Sequence, residues 1–261
     1  ALLMADGVSM RSVGLGRPPV VALESVATLR DLGGYPTSDG GRTRHRLVFR
    51  SAAIGDASEA DRAAIRAVGL RAVVDLRASF EVEATGPTVF AELDVPRLHV
   101  PVIDAPDAAT YNRVLREHLG AAGYDDLGSV YAAMLDVGGA AFARAFTIIA
   151  SRLPALHLCS AGKDRTGLLS ALLLRIARVA DPIIAVDYAC SVPSGDPEPI
   201  ERALAHLDRR WGGAETYLAA HGASRAQMDA FRRTFVAVDE RPRPPVPIIV
   251  LPDDPAELAT G

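Results

Sequence analysis

The chain has 261 residues, of which 49% are hydrophobic and 23% are charged. Those proportions are ordinary for a soluble globular protein that buries one sizeable core. The net charge of −4 argues against a nucleic-acid-binding protein, because such proteins usually carry a basic excess. No apolar run reaches about 18 residues, so the sequence predicts no membrane span. No signal peptide is visible, so we expect a cytoplasmic protein, and export stays open.

The chain contains two cysteines, Cys159 and Cys190. Two thiols do not form a disulfide framework in a chain of this length, and they lack the Cys/His spacing that zinc sites require. We therefore expect a reducing compartment or one reactive thiol, with no metal and no cofactor. Cys190 falls on a predicted helix with apolar neighbours, where a buried packing role is expected.

Strands alternate with helices along the chain, a pattern typical of a parallel α/β sheet. The first helix has clear boundaries, since Ser58 and an acid three residues later form an N-cap pattern and Gly69 can end it. In chain order, the predicted elements are a strand at 46–51, a helix between Ser58 and Gly69, strands at 72–76 and 98–102, helices at 108–119, 128–137 and 140–152, a strand at 154–159, a helix at 166–180, and three or four helices within 182–235.

We expect one domain at residues 20–236, with a central, mostly parallel sheet flanked by helices. Residues 105–139 form a long excursion with two predicted helices, and insertions of this size are often lids. Residues 1–19 have little periodicity and are interpreted as a loose N-terminal segment. Residues 237–261 form a tail that carries six prolines and cannot be a regular helix.

The most informative segment reads Cys-Ser-Ala-Gly-Lys-Asp-Arg-Thr-Gly at residues 159–167. It joins an apolar strand to the start of a helix and places Cys159 and Arg165 six positions apart. A compact loop at such a junction can turn its N–H groups toward one point, which makes an anion site at the positive end of the helix. Gly162 would permit the backbone conformation that this curl needs.

A phosphate monoester fits such a loop. Arg165 would hold two phosphate oxygens in its planar fork. Cys159 would be favoured as thiolate and poised for attack on phosphorus. Thr166 sits where its hydroxyl could bond the sulfur. The remaining candidate substrate-binding residues are those of the loop itself: Ser160, Ala161, Gly162, Lys163 and Asp164.

Less specific interpretations of the loop fit poorly. A lone cysteine at a strand end is usually a small buried hydrophobe. A cysteine followed six positions later by an arginine, at a strand-to-helix junction, is much rarer than a lone cysteine. The Gly-Lys pair lacks the glycine spacing of a Walker nucleotide-binding loop.

These residues resemble the signature loop of the cysteine-dependent protein tyrosine phosphatase superfamily. More narrowly, they are similar to the bacterial and fungal tyrosine phosphatases with a Gly-Lys-Asp-Arg-Thr-Gly loop, a group that includes secreted mycobacterial enzymes acting on phosphoproteins and phosphoinositides. The resemblance extends over about residues 24–235 and implies a tyrosine-phosphatase-like fold, no metal, an acidic residue as proton donor and a helical lid. Other matching stretches lie at residues 29–34, 49–51, 74–77 with Glu81, and 185–188.

One position departs from that superfamily, which usually has histidine directly before the nucleophile. Here Leu158 holds that place, and His157 lies one residue earlier. Because side chains alternate along a strand, the imidazole moves to the opposite face from the family position. The thiolate of Cys159 then loses one supporting interaction. The alternative that the chain is a non-catalytic, phosphate-binding relative of these enzymes therefore stays open.

Expelling the substrate oxygen requires a proton from a positioned acid. The resemblance favours Asp104, which follows the strand before the excursion. Asp107 is a rival, and Asp164 inside the loop is a third candidate. A carboxylate in a loop is also a common turn residue, so the identity of the acid stays open at this stage.

We expect an enzyme that removes phosphate from phosphotyrosine, and its expected partner is a phosphorylated protein substrate. Dual specificity is one form that this activity can take. The alternative is a phosphoinositide or inositol phosphate phosphatase. The resemblance associates the loop lysine, Lys163, with an additional substrate phosphate, and a solvated loop lysine is equally compatible.

Several further residues would meet the same edge of the sheet, where open α/β folds bind ligands. They would orient the loop through ion pairs or contact a second phosphate, with a purely structural ion pair favoured for Asp75 and Glu81. Tyrosines of the excursion would either stack on an aromatic substrate or pack between helices. These residues are Arg50, Asp75, Arg77 and Glu81, and Tyr111, Tyr124 and Tyr131.

Overall fold

The computed structural model describes residues 29–119, 123–124, 126–191 and 195–237. The predicted loose segment at 1–19 lies outside the described residues, and so does the predicted tail apart from its first residue. The expectation of an α/β architecture is correct: a mostly parallel central sheet is flanked by helices.

The strands of the described residues are β1 Arg30–Asp31, β2 Arg42–Thr43, β3 Val48–Ala52, β4 Ala72–Asp75, β5 Arg97–His99, β6 Ala155–Cys159 and β7 Val236–Ala237. They form two sheets. Five of them make the central sheet in the order β1-β3-β6-β4-β5, in which β1 is antiparallel to β3 and the other neighbours are parallel. The remaining two, β2 and β7, form a separate antiparallel pair.

Helices connect the parallel strands and fill the C-terminal part, and a short 3-10 turn lies at Val89–Glu92. Both helices predicted in the excursion are present. The helices are α1 Glu59–Val68, α2 Ser79–Thr85, α3 Ala108–Leu119, α4 Leu127–Val137, α5 Gly139–Ser151, α6 Asp164–Ile176, α7 Asp181–Ala189, α8 Glu198–Trp211, α9 Ala214–Ala220 and α10 Arg225–Phe235.

The boundaries of α1 follow the local signals in the sequence. The Ser58 side chain accepts a hydrogen bond from the backbone N–H of Asp61 at 3.1 Å, as an N-cap residue should. Gly69 ends the helix in the left-handed conformation, with φ of 72°, which costs glycine little. The predicted start and stop of this helix are confirmed.

Two predicted elements have boundaries that are wrong by several residues. The helix expected at 166–180 begins at Asp164 and ends at Ile176, because the end of the loop already adopts the first helical turn and Gly167 N–H bonds the Lys163 carbonyl at 2.8 Å. The strand expected at 98–102 ends at residue 99, because its partner β4 ends at Asp75, which pairs with His99.

The two faces of the sheet bury separate hydrophobic clusters. Along β6, Leu156 and Leu158 face the cluster that contains Ile65 of α1. Ala155 and Cys159 belong to the larger cluster on the other face, which includes residues of α5 and α6. The alternation of a strand therefore places the Cys159 side chain on the α6 side of the sheet.

Among the described residues, no single helix has the length and apolarity of a membrane span. Helices α4 and α5 reach that length only as a pair, with a bend of 76° between them.

Candidate active site

The loop at residues 159–165 lies at the carboxyl end of β6, against the neighbouring strand β3. Cys159, the last residue of β6, is 1% exposed and pairs in register with Ala52. Gly162 has φ of 67°, and a Cβ at this position would lie 2.5 Å from the backbone nitrogen of Ala52. Only glycine therefore fits the curl of the loop against β3.

Two carbonyls of the loop are held on its outer side. The Ser160 carbonyl accepts a hydrogen bond from Ala53 N–H at 3.1 Å, and the Gly162 carbonyl accepts one from Arg50 Nη2 at 2.9 Å. In a trans peptide the next N–H points opposite to the carbonyl. The N–H groups of Ala161 and Lys163 therefore point away from these contacts, as an anion-binding loop requires.

Arg50 is itself fixed by a buried carboxylate on α7. Its Nη1 lies 2.7 Å from Asp187 Oδ2, and the same carboxylate binds Arg30 at 3.1 Å and the Tyr35 hydroxyl at 2.7 Å. Burial raises the pKa of Asp187, but the charges of Arg30 and Arg50 outweigh burial and keep this pKa below its usual value. Arg50 therefore orients the loop and is not available for a second phosphate.

Arg165, in the first turn of α6, is held by Glu81 of α2. Both terminal nitrogens of the guanidinium contact the carboxylate, with Nη2 2.7 Å from Oε1 and Nη1 on Oε2. Ser160 Oγ and Ala78 N–H also donate to this carboxylate, at 2.6 Å and 2.8 Å. Burial raises the pKa of Glu81, but its bonds to Arg165, Ser160 and Ala78 outweigh burial and lower it to about 2. The ion pair expected for Glu81 is present, and because its partners belong to the loop itself, it orients the loop.

The Nε of Arg165 is buried and has no hydrogen-bond partner within the described part of the chain. Buried donors in proteins are almost always paired. Glu81 occupies one edge of the guanidinium, and the edge that carries Nε–H remains for another acceptor. An oxyanion would satisfy that donor.

The carboxylate expected to be the proton donor, Asp104, lies against the start of α2. It accepts hydrogen bonds from Ser79 N–H at 3.1 Å and Ser79 Oγ at 2.7 Å. These bonds hold the pKa of Asp104 below its usual value. Asp104 therefore contacts the same helix that supplies Glu81. Its rival Asp107 accepts a bond from Thr110 N–H at 2.7 Å, at the beginning of α3.

The third carboxylate, Asp164, opens α6 beside Arg165. Its Oδ1 accepts a hydrogen bond from the Tyr131 hydroxyl at 2.5 Å and lies 3.9 Å from Lys163 Nζ. Both charged side chains are 30% exposed. Tyr131 of the excursion thus reaches the loop, which its sequence position alone did not indicate.

His157 faces α6, and Leu158 packs on the opposite face of the sheet, as strand alternation predicts. The His157 Nε2 lies 2.9 Å from Ser170 Oγ, and that hydroxyl donates to the Thr166 carbonyl at 2.8 Å. Nε2 must then carry the proton, because the single hydroxyl hydrogen is already used. Burial, and then the charge of Arg50, lower the pKa of His157 to about 3. The neutral imidazole supports the first turn of α6.

Thr166 and Cys190 differ from their expected environments. The Thr166 hydroxyl is buried, and within the described ranges it has no hydrogen-bond partner, so the expected bond to the Cys159 sulfur is not formed here. Cys190 is partly exposed and forms no disulfide. Its predicted burial is wrong, because the residue caps the C-terminal end of α7.

The two other candidate residues at strand ends, Asp75 and Arg77, form an ion pair with each other. Arg77 and Asp75 are both buried, with Arg77 Nη2 2.7 Å from Asp75 Oδ2. Arg77 Nη1 also donates to Thr85 Oγ1 at 2.6 Å, which ties the end of β4 to the end of α2. The structural interpretation of Asp75 is correct.

Aromatic side chains of the excursion and of α2 lie beside the loop. The Arg165 guanidinium carbon is 5.8 Å from the centre of the Tyr111 ring, and that ring meets Phe80 edge-on at 6.1 Å. Burial raises the pKa of Tyr111 to about 12. Phe80 was not expected at the site, and its place beside Glu81 was the available signal. Tyr124 is exposed and stacks on Arg116.

Comparison with known proteins finds a matching family and several similar sequences. The model of the tyrosine phosphatase family matches residues 21–195. A tyrosine-protein phosphatase of Nostoc commune is 28% identical over 220 residues, which cover 70% of this chain and 72% of that protein. The triple specificity protein phosphatase PtpB of Mycobacterium tuberculosis is 33% identical over 180 residues, which cover 60% of this chain and 63% of PtpB.

Among solved structures, P. aeruginosa TpbA shares 17% sequence identity with a TM-score of 0.36. That match covers 70% of this chain and 90% of TpbA.

Proposed function

The chain belongs to the tyrosine phosphatase family, and from that premise we propose that it hydrolyses phosphotyrosine in proteins through a phosphocysteine on Cys159. In the first step the Cys159 sulfur bonds to phosphorus while the bond from phosphorus to the tyrosine oxygen breaks. Asp104, in its protonated form, supplies the proton that this oxygen takes up. Water then attacks the phosphocysteine, inorganic phosphate leaves, and the thiolate is restored.

One observation carries this proposal. The buried Nε–H of Arg165 has no hydrogen-bond partner among the described residues, while Glu81 binds the opposite edge of the same guanidinium. A planar donor fork beside the loop matches two oxygens of a phosphate group. Cys159 lies at the same carboxyl end of the sheet and is joined to Arg165 by the curl around Gly162. The arrangement suits a phosphate dianion held against sulfur.

Hydrolysis of p-nitrophenyl phosphate in the presence of EDTA tests the proposal. We expect metal-independent turnover that falls by roughly 10³-fold or more in Cys159→Ser. Cys190→Ser is the matched control, because it removes the other thiol and should leave the rate within about twofold. Turnover that survives in Cys159→Ser would exclude Cys159 as the nucleophile. Phosphate binding without turnover would favour a non-catalytic relative.

A second candidate, phosphoinositide hydrolysis, is supported by Lys163. Its side chain is 30% exposed next to the loop, and its ammonium lies 3.9 Å from Asp164, so it could pair an additional phosphate on the substrate. We expect Lys163→Ala to reduce activity on a phosphoinositide more than activity on a phosphotyrosine peptide. Equal losses on the two substrates would favour phosphoproteins as the substrate class. That class includes phosphoserine and phosphothreonine, as in a dual-specificity enzyme.

A further inference from the structure

Two buried tyrosine hydroxyls form a chain that ends on the loop. The Tyr131 hydroxyl donates to Asp164 Oδ1 at 2.5 Å, and its oxygen lies 2.7 Å from the Tyr188 hydroxyl. A phenol has one proton, and that of Tyr131 is used on Asp164. Tyr188 must therefore donate to Tyr131, so the chain runs in one direction, from Tyr188 through Tyr131 to Asp164.

The environment keeps both phenols protonated. Tyr131 and Tyr188 are 0% and 2% exposed, and their rings meet edge-on at 5.9 Å. Burial raises the pKa of Tyr188 to about 12, and burial together with the Asp164 charge raises the pKa of Tyr131 well above its usual value. Both hydroxyls therefore remain hydrogen-bond donors near neutral pH.

The chain joins three helices at the loop. Tyr131 lies on α4 of the excursion, and Tyr188 lies on α7, directly after Asp187, which holds Arg50. The Tyr188 ring fits over α6 at Gly167, where a Cβ would lie 3.0 Å from a ring carbon. Helix α7 thus reaches the loop twice, through Arg50 on the Gly162 carbonyl and through the two tyrosines on Asp164.

The hydrogen bond from the Tyr131 hydroxyl fixes the orientation of the Asp164 carboxylate. The Asp164 side chain adjoins Arg165 in the loop, and its 30% exposure leaves it accessible to water. A fixed carboxylate that water can reach suits the role of base in an attack by water.

We propose that Tyr131 and Tyr188 are positioning residues that hold Asp164 as the base for hydrolysis of the phosphocysteine. In that step the water oxygen bonds to phosphorus, one water proton passes to the Asp164 carboxylate, and the phosphorus–sulfur bond breaks to release the Cys159 thiolate. The proposal rests on the proposed function, because it requires the phosphocysteine. It separates Asp164, which acts in the second step, from Asp104, which acts in the first.

Steady-state and burst kinetics of Tyr131→Phe with p-nitrophenyl phosphate test the proposal. Slowing the second step alone lowers kcat and KM together and leaves kcat/KM unchanged, because kcat/KM reports the steps through formation of the intermediate. We expect kcat to fall about 10-fold, as for loss of a hydrogen bond to a charged group. We also expect kcat/KM to stay within about twofold and a burst of nitrophenol to appear. Tyr188→Phe should show the same signature with a smaller fall, of about threefold.

Two further variants separate this role from helix packing. Tyr217→Phe is the matched control, because the buried Tyr217 hydroxyl also bonds α4, at the Leu135 carbonyl at 2.6 Å; we expect its kcat to stay within about twofold of the wild type. In an Asp164→Asn background, Tyr131→Phe should have almost no further effect, since residues that act as a unit are not additive.

A fall in kcat/KM that parallels the fall in kcat, or a full Tyr131→Phe effect in the Asp164→Asn background, would overturn the proposal while the enzyme remains a phosphatase. Absence of Cys159-dependent turnover in the wild type would instead refute the proposed function, and the base assignment with it.

Discussion

Glu81 binds both terminal nitrogens of Arg165, although the two residues are 84 positions apart. The carboxylate fixes the plane of the guanidinium and leaves its buried Nε–H directed elsewhere. Glu81 also accepts a hydrogen bond from Ser160 at 2.6 Å, so one side chain of α2 holds both ends of the loop that follows Cys159. Catalysis by phosphate positioning depends on such fixed donors.

The first prediction concerns that contact. Glu81→Gln keeps the size of the side chain but removes its charge, so Arg165 is held less firmly. Loss of charge-assisted hydrogen bonds worth about 1.5–3 kcal/mol predicts a fall of about 10- to 100-fold in kcat/KM for p-nitrophenyl phosphate. Glu83→Gln is the control, because Glu83 is an exposed carboxylate of the same helix. Equal rates in wild type and Glu81→Gln would show that Arg165 needs no fixed partner.

The second prediction concerns stability at low pH. The pKa of Glu81 is about 2 in the folded protein, below its usual value of 4.5. A lowered carboxyl pKa stabilises the fold above the unfolded value, and that stabilisation is lost as the pH falls toward the folded value. The difference in Tm between wild type and Glu81→Gln should therefore be constant above about pH 5 and shrink between about pH 4.5 and pH 2. A difference that does not change across that range would contradict the lowered pKa.

The third prediction separates the proton donor from the base. Asp104→Asn should lower kcat/KM by roughly 100-fold for phosphotyrosine, whose leaving oxygen needs a proton. It should have a much smaller effect on p-nitrophenyl phosphate, which has a better leaving group. Asp164→Asn should instead lower kcat on both substrates to a similar extent. Equal losses of kcat/KM on both substrates in Asp104→Asn would mean that Asp104 only holds Ser79 at the start of α2.

The fourth prediction concerns the curl of the loop. Gly162 and Gly69 both have positive φ, at 67° and 72°, but only at Gly162 would an added Cβ lie within 3 Å of backbone atoms of β3. Gly69→Ala should cost about 1–2 kcal/mol of stability and no activity. Gly162→Ala should cost more stability and lower kcat by roughly 100-fold, as displacement of a catalytic loop does. Full activity in Gly162→Ala, measured beside Gly69→Ala, would refute the close approach.

Much of the fold could be predicted because its signals are local. Strand β6, the N-cap at Ser58 and the helices of the excursion each depend on residues within a few positions of one another. Helix α6 was misplaced because its first turn is built by the loop, whose conformation depends on contacts with β3. Strand β5 was predicted too long because its apolar run continues past the end of its partner β4, and the length of the partner is not a local signal.

The amino-acid sequence alone determined which residues the loop brings together, since Cys159, Gly162 and Arg165 lie within seven consecutive residues and their spacing constrains the backbone between them. Only the tertiary structure decided what surrounds that loop: Glu81 on Arg165, Asp187 on Arg50, and Tyr131 on Asp164. Those partners come from distant helices, and a carboxylate or a phenol has no local pattern that reveals which buried donor or acceptor it will meet. Their pairing follows from the requirement that buried polar groups be satisfied, which can be met only after the helices have packed.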